Sequence, residues 1–476
     1  MQAKDYAVEK PERQATETAV APEWTPPSQR SDMRKKVIRG VSRGTLAVTD
    51  QALISGSNFV ISVLLARWLV PEQYGAYAVA LGINVLLFTV YQSLLLEPMS
   101  VFGGSSYREC LRGYLGSLFW IHVAASIFIF VTFGASALIA KAFVHSPVLP
   151  GALLGVTIAS PFILFFGLAR RSVYLQLSPL RSTIGSAVYA ASLLTALYLT
   201  FRGGYLSPMT AFLLMGLGSA ATSVYLWTHL RRTLPSAAIV PPGVSESWGR
   251  HWRYGRWALA GSFVGWIPAY IYYPLLSSFG NMAHSGQLRA LMNLTLPIEQ
   301  MKAAIGLLLI PYAARVQHTE GGSKTRRLGV QMTLLALAGA TAYWAVILPL
   351  QRPLFHYLYS GRYTEVVHLL PIVAIGSIIW TGAYGPAIVL RGMNSPESYF
   401  TAWGYATVVS LIVGVPATWK FGLTGAIWGS NTADIFSFIF IVIILRRKIA
   451  QKPEARTAGL WAKGSPVVLP GESAAD

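Results

Sequence analysis

The chain has 476 residues, 53% of them hydrophobic and 12% charged, with a formal net charge of +19 and a mean hydropathy of +0.48. A water-soluble chain of ordinary type carries roughly 25% charged residues, so this composition excludes a soluble enzyme or a nucleic-acid-binding domain. The single cysteine, Cys110, cannot form an internal disulfide, and no Cys or His spacing resembles a zinc site, so no metal or cofactor is expected.

In chain order, residues 1–43 are polar, contain Pro11, Pro22, Pro26 and Pro27, and lack the apolar run of a signal peptide. They are expected to form a disordered cytoplasmic tail. Apolar runs then recur at 48–68, 77–96, 114–139, 152–169, 183–201 and 210–228. Each approaches the ~20 residues needed to cross a hydrocarbon core. The polar stretch 231–256, rich in Pro, Ser and Gly and flanked by arginines, reads as a cytoplasmic linker. Six more runs follow at 257–279, 291–312, 328–350, 370–390, 401–417 and 423–445, and a second cytoplasmic tail at 447–476. The expectation is an all-α integral membrane protein of about 12 transmembrane helices, in two six-helix lobes (44–230 and 257–446) around a central cavity.

The charge orients this bundle. With the N-terminus in the cytoplasm, 30 of the 38 Lys and Arg residues fall in the tails and cytoplasmic connections, and only 6 in the outer ones. That is the positive-inside pattern, with both termini cytoplasmic and the lipid bilayer, not nucleic acid, as partner. A faint repeat joins the halves. The hairpin around Val70–Gly75 has a counterpart around Gly280–Gly286, and amphipathic linkers at 142–150 and 353–368 precede the fourth and tenth spans. Paired halves around a central site are common in secondary transporters.

A charge at mid-membrane costs on the order of 2.5–3.5 kcal/mol, so each one calls for an explanation. Asp50, Asn58 and Ser62 recur at multiples of four in the first span, and Asn84, Tyr91 and Gln92 recur in the second. Both stripes could line one aqueous cavity; helix–helix hydrogen bonding is the alternative. Glu299 and Lys302 share a face of the eighth span, where the lysine meets either a lipid diphosphate or its own glutamate. Arg67 and Arg289 sit at the outer ends of hairpin helices and either bind phosphate or snorkel to headgroups. Asp434 lies mid-way along the twelfth span with no cation nearby in sequence. It and Asp50 are the candidates for ion coupling, unless hydrogen bonds hold them in the core. Trp266, Tyr270, Tyr272 and Tyr273 form either a wall for sugar rings or an interfacial aromatic belt.

Several runs together resemble a known family. Asn58-Phe59, Leu65-Ala66-Arg67 and Pro71-Glu72-Gln73-Tyr74-Gly75 are similar to the opening of polysaccharide flippases, which carry lipid-linked oligosaccharides and belong to the multidrug/oligosaccharidyl-lipid/polysaccharide exporter superfamily. Pro311 with Ala313-Ala314-Arg315, Leu358-Tyr359-Ser360-Gly361-Arg362-Tyr363 and Phe421-Gly422-Leu423-Thr424-Gly425-Ala426 agree with later family segments. Leu96-Glu97-Pro98-Met99 departs from the family pattern. The resemblance, over roughly residues 40–446, implies a V-shaped pair of lobes with alternating access in a bacterial cytoplasmic membrane. It also implies an undecaprenyl-pyrophosphate-linked oligosaccharide as cargo, for export of cell-surface polysaccharide such as exopolysaccharide or O-antigen. The polymerase and glycosyltransferases of the same pathway would be partners. Three rivals remain open: a cation-coupled multidrug exporter of the same superfamily, a lipid II or related flippase, for which no clear pair of extra helices follows the twelfth span, and a membrane polymerase or glycosyltransferase. Against the last, no paired carboxylates, HExxH or nucleophile elbow appear, so no enzymatic activity is expected.

Overall fold

The protein was analysed as a computed structural model that describes residues 27–143, 146–176, 178–235, 240–393 and 396–450. The expected disorder at 1–26 and 451–476 lies outside these residues. Residues 27–43, read from sequence as tail, begin the first helix, α1 (Pro27–Trp68). Every further element among the described residues is helical: α2 (Pro71–Tyr91), α3 (Glu97–Gly104), α4 (Leu111–Phe143), α5 (Leu149–Leu175), α6 (Pro179–Arg202), α7 (Pro208–Thr233), α8 (Val244–Tyr270), α9 (Tyr272–Phe279), α10 (Met282–Met292), α11 (Leu296–Ile347), α12 (Gln351–Tyr359), α13 (Leu370–Gly382), α14 (Tyr384–Gly392) and α15 (Pro396–Ala450).

This is an all-α integral membrane bundle of about twelve spans. Among the described residues, nine helical stretches are long and apolar enough to cross a membrane, the last being Phe400–Lys448. That stretch is two spans. Gly422 takes φ 55° and ψ −128° inside α15, reversing the chain, and beyond the turn Gly429 O accepts from Ser410 Oγ at 2.8 Å. A left-handed φ of this kind is open to glycine at little steric cost. The 52-residue α11 also doubles back. A straight helix of that length would span about 78 Å, yet Tyr343 Oη donates to Leu294 O at 2.8 Å.

The remaining two spans, expected at 257–279 and 291–312, are not among the nine. They are polar and broken. Pro274 has no N–H to offer Tyr270 O, and the seventh span splits there into α8 and α9. Pro297 likewise has no N–H for Asn293 O, which accepts from Leu296 N instead, and this short 3-10 turn at Asn293–Thr295 separates α10 from α11. In a membrane, irregular backbone is tolerated where it is buried in protein or lines a cavity.

The two hairpins noted in the sequence meet in space, at what we term the hairpin end of the bundle. Val70 and Asn281 are the N-caps of α2 and α10, which puts Gly75 and Gly286 at the same position, five residues on. The two glycines face each other where α2 crosses α10. A Cβ on Gly75 would lie 1.8 Å from Met282 O, and one on Gly286 would lie 2.7 Å from Pro71 O. Small residues permit this backbone-to-backbone approach. A buried polar knot lies below the crossing: Ser62 Oγ donates to Asn293 Oδ1 at 2.8 Å, and Asn293 Nδ2 donates to Tyr74 Oη at 2.9 Å. Above it Arg67 donates to Tyr357 O at 3.2 Å, and Arg362 donates to Leu69 O.

At the opposite, tail end, the Leu96–Met99 departure from the family pattern has a structural role. Pro98 cannot donate to Leu94 O, and the helix widens into a π turn over Gln92–Leu96. The freed carbonyl accepts from His251 Nδ1 of α8 at 2.9 Å. A carbonyl only accepts, so Nδ1 carries the proton and Nε2 accepts from Tyr114 Oη at 2.6 Å. Burial lowers the ring's pKa below the usual histidine value, which favours the neutral form in this arrangement. Below about pH 6.5 the unfolded chain binds the extra proton more readily. The stability supplied by burying the neutral ring is thus full above that pH and is lost as pH falls through the folded value, against the opposing pull of the Leu94 bond, which favours the charged ring. His251→Phe should cost about 1–3 kcal/mol above pH 7 and flatten the acid limb of thermal unfolding. Superimposable melting-versus-pH curves for variant and parent would show that the contact contributes nothing.

Candidate functional site

The broken helices enclose a cavity of about 390 Å3 between α8, α10, α11, α13 and α15. Tyr270, Tyr273 and Trp380 supply aromatic walls, and Arg289, Glu299 and Asp434 supply the charge. The volume suits one charged group and a ring or two, within the size range of ordinary ligand pockets.

The charges are unequally committed. Among the described residues the ion pairs are Arg170–Asp50, Arg250–Glu246 and Lys302–Glu299. Lys302 Nζ lies 2.7 Å from Glu299 Oε1 and 4.6 Å from the centroid of the Trp380 ring, and its backbone carbonyl accepts from Tyr384 Oη. This lysine is buried and occupied. Arg289 belongs to none of those pairs. Its Nε reaches Ser62 Oγ only at 3.4 Å, and the phenols of Tyr74, Tyr77, Tyr270 and Tyr273 surround it. Tyr270 also shares a side-chain hydrogen bond with it, but a guanidinium has five N–H donors, more than these contacts use, and its fork suits a planar or tetrahedral anion. Across the cavity the Asp434 carboxylate has Glu299 and Lys302 as its charged neighbours, with no hydrogen bond or ion pair to a described residue. Ser377 Oγ, on the same wall, is buried without a hydrogen-bond partner.

The other residues singled out in the sequence are dispersed. Asp50 points away from the cavity, between α5 and α6. It accepts from Tyr174 Oη at 2.5 Å, Ser182 Oγ at 3.0 Å and Ser186 Oγ at 2.5 Å, with Arg170 3.7 Å away. Its lone pairs are taken, which is the core arrangement rather than a free coupling site. Asn58 is exposed on a different face of α1. Asn84 donates to Ser160 Oγ at 3.1 Å, and Gln92 donates to Glu97 within its own stretch at 3.3 Å. The two stripes do not meet at one cavity. Trp266 donates to Gly82 O at 2.9 Å and ties α8 to α2. Only its stacking on Tyr270, at 5.9 Å, connects it to the cavity. Tyr272 turns away from the cavity into the packing against α15, where it is buried and bonds Ser410 Oγ at 2.6 Å, and Arg67 stays exposed at the hairpin end. Of the sequence candidates, Tyr270, Tyr273, Arg289, Glu299 and Asp434 share the cavity, with Lys302 behind them. Ser377 and Trp380 were missed, though a serine and a mid-span tryptophan inside the apolar run 370–382 were a readable signal.

The Glu299–Lys302 geometry yields a direct expectation. Lys302→Ala should strand Glu299 and lower thermal stability by about 1–3 kcal/mol, and Glu299→Gln with Lys302→Ala should recover part of that loss. Equal melting of the single and double variants would mean that the pair is not coupled.

No family model and no curated protein matches this sequence. Solved structures do match its fold. A multidrug resistance MATE family transporter of the MOP superfamily, in an inward-facing conformation, is similar with a TM-score of 0.70 and 12% identity, over 84% of this chain and 94% of that one. The lipid II flippase MurJ, in an inward closed conformation, gives 0.63 and 11%, over 86% and 87%. A MOP superfamily transporter from Pyrococcus furiosus gives 0.62 and 10%, over 86% and 95%. At such identities the likeness is one of fold. The chain has the helical membrane fold shared by these MOP superfamily transporters.

Proposed function

We propose that this protein is a flippase that moves a polyprenyl-diphosphate-linked oligosaccharide across the bacterial cytoplasmic membrane by alternating access, for export of a cell-surface polysaccharide. In this reading residues 44–230 and 257–446 move as two lobes, both termini are cytoplasmic, and the hairpin end faces outward. The contact of Gly75 with Gly286 then seals the outer side. The observation that carries the reading is Arg289, a cation in an aromatic-walled cavity with no carboxylate of the described residues paired to it. A diphosphate relieves its desolvation, and Tyr270, Tyr273 and Trp380 offer stacking faces to the proximal sugar. The cavity holds the linkage region and leaves the distal glycan in the cleft. No transfer chemistry is part of this proposal; the cargo crosses unchanged.

A second reading rests on a separate observation. Asp434 is a cavity carboxylate with no hydrogen bond to a described residue, and it suits a coupled cation or proton, as an exporter of cationic drugs would need. An unpaired arginine in the same cavity would repel such a cargo, which is why the lipid-linked sugar is preferred. Gene deletion separates the two readings. The flippase account expects a lipid-linked oligosaccharide to accumulate on the cytoplasmic leaflet, with drug tolerance unchanged. Drug hypersensitivity without that accumulation would favour the exporter.

A further inference from the structure

A second cavity, of about 590 Å3, lies at the tail end of α4 and α7, well away from the first. Its floor is the pair Phe119 and Trp227, whose ring centroids are 5.7 Å apart. Arg112 on α4 and Arg231 on α7 are at its rim. Its third wall is the segment joining the two halves of the chain. Pro241 lies over Gly113, where an added Cβ would meet Pro241 Cβ at 2.2 Å, and Ser117 Oγ donates to Pro242 O at 2.6 Å.

The surface running out of this cavity identifies what fills it. On α4 the exposed apolar side chains include Trp120, Ile127, Phe128 and Val131, at 62%, 61%, 68% and 62%, with Phe130 exposed on a neighbouring face. Spacings of seven, eight and eleven residues put them on one face, which in a membrane bundle faces acyl chains. On α7, Leu217 and Val224, at 67% and 60% exposed, precede Arg231 at two successive steps of seven. Both helices thus present an apolar stripe that ends in an arginine, and the two stripes converge on one cavity. From Trp120 to Val131 the stripe runs about 16 Å along the helix axis, close to the reach of an acyl chain.

We infer that this cavity is a binding site for an anionic phospholipid, with its phosphate between Arg112 and Arg231 and its acyl chains along the α4 and α7 stripes. The proposed orientation places it in the cytoplasmic leaflet, where anionic lipid is attracted to basic residues near the surface. Because Pro241 and Pro242 form one wall, an occupied site also braces the joining segment against α4. Peptides and soluble anions fit less well: the apolar stripes lie at hydrocarbon depth, and a free phosphate would leave the aromatic floor uncovered.

The test is native mass spectrometry of the full chain released from micelles doped with phosphatidylglycerol or phosphatidylcholine. The readout is binding alone, so it stands or falls independently of the transported cargo and of the orientation. The parent should retain one tightly held phosphatidylglycerol. Arg112→Gln with Arg231→Gln should raise its half-saturation at least about tenfold, given roughly 1 kcal/mol per basic residue. Trp120→Ser should weaken retention while leaving both arginines in place, and inorganic phosphate should not displace the lipid. The control Arg446→Gln with Arg447→Gln, at the tail end of α15, should bind as the parent does. Equal losses in the control and groove variants would reduce the effect to general surface charge and overturn the assignment, as would undiminished retention by both groove variants.

Discussion

Replacing Gly75 by valine is expected to force the hairpin end open and to reduce transport at least tenfold. Even the first added carbon of such a side chain would lie 1.8 Å from Met282 O, far inside contact distance, and the obstacle is backbone that cannot rotate away. Two helices must separate at their crossing for the new side chain to fit. The polar knot of Ser62, Tyr74 and Asn293 lies directly below and would separate with them. A cysteine placed at position 62, in a background with Cys110→Ala, should then react with an impermeant thiol reagent about tenfold faster from outside. Gly286→Ala should act in the same direction, and the two changes should not add, because they break one contact. Parental labelling and parental transport in Gly75→Val would show that the crossing is not an alternating seal.

Arg289→Gln is expected to lose about two orders of magnitude in transport at low substrate, while folded yield stays near that of the parent. The two outcomes diverge because the guanidinium contributes little to the resting fold. Its Ser62 contact is long, at 3.4 Å, its hydrogen bond with Tyr270 is to a neutral phenol, and none of the ion pairs given above includes it. A bidentate bond to phosphate involves two charge-assisted hydrogen bonds of about 1.5–3 kcal/mol each, so losing about 3 kcal/mol corresponds to roughly a hundredfold. Arg289→Lys keeps the charge without the fork and should retain part of the activity. Concentration-dependent uptake into proteoliposomes, with variants matched for folded protein, measures this. Unchanged uptake by Arg289→Gln would remove the cavity arginine from the substrate path.

The bundle was legible in the sequence because hydrocarbon demands long apolar runs, and ten of the twelve spans satisfy that demand on their own. The seventh and eighth spans do so least. Pro274, Pro297, Glu299 and Lys302 make them broken and polar, and the candidate cavity forms there for the same reason. The site was only half legible. Multiples of four placed Asp50 and Asn58 on one stripe, but each step of four drifts about 40° around a helix. Two steps carry Asn58 well away from Asp50, which instead aligns with Ser57 and packs inward. Sequence spacing also could not show which cation is committed. Glu299 is three residues from Lys302 and claims it, whereas the phenols that surround Arg289 come from α2, α8 and α9. The glycine match between the hairpins was visible as a pattern, and its reason, a direct backbone crossing, is a tertiary fact.

The central claim is that the cleft carries a lipid-linked sugar between leaflets without altering it. Purified protein in liposomes loaded with a polyprenyl-diphosphate oligosaccharide tests this directly, with a glycan-specific probe outside reporting the outer leaflet. The account predicts that the protein accelerates appearance of the glycan outside, that the recovered lipid is chemically unchanged, and that Arg289→Gln abolishes the acceleration. Glycan exposure no faster than in protein-free liposomes, alongside efflux of an organic cation by the same preparation, would contradict it.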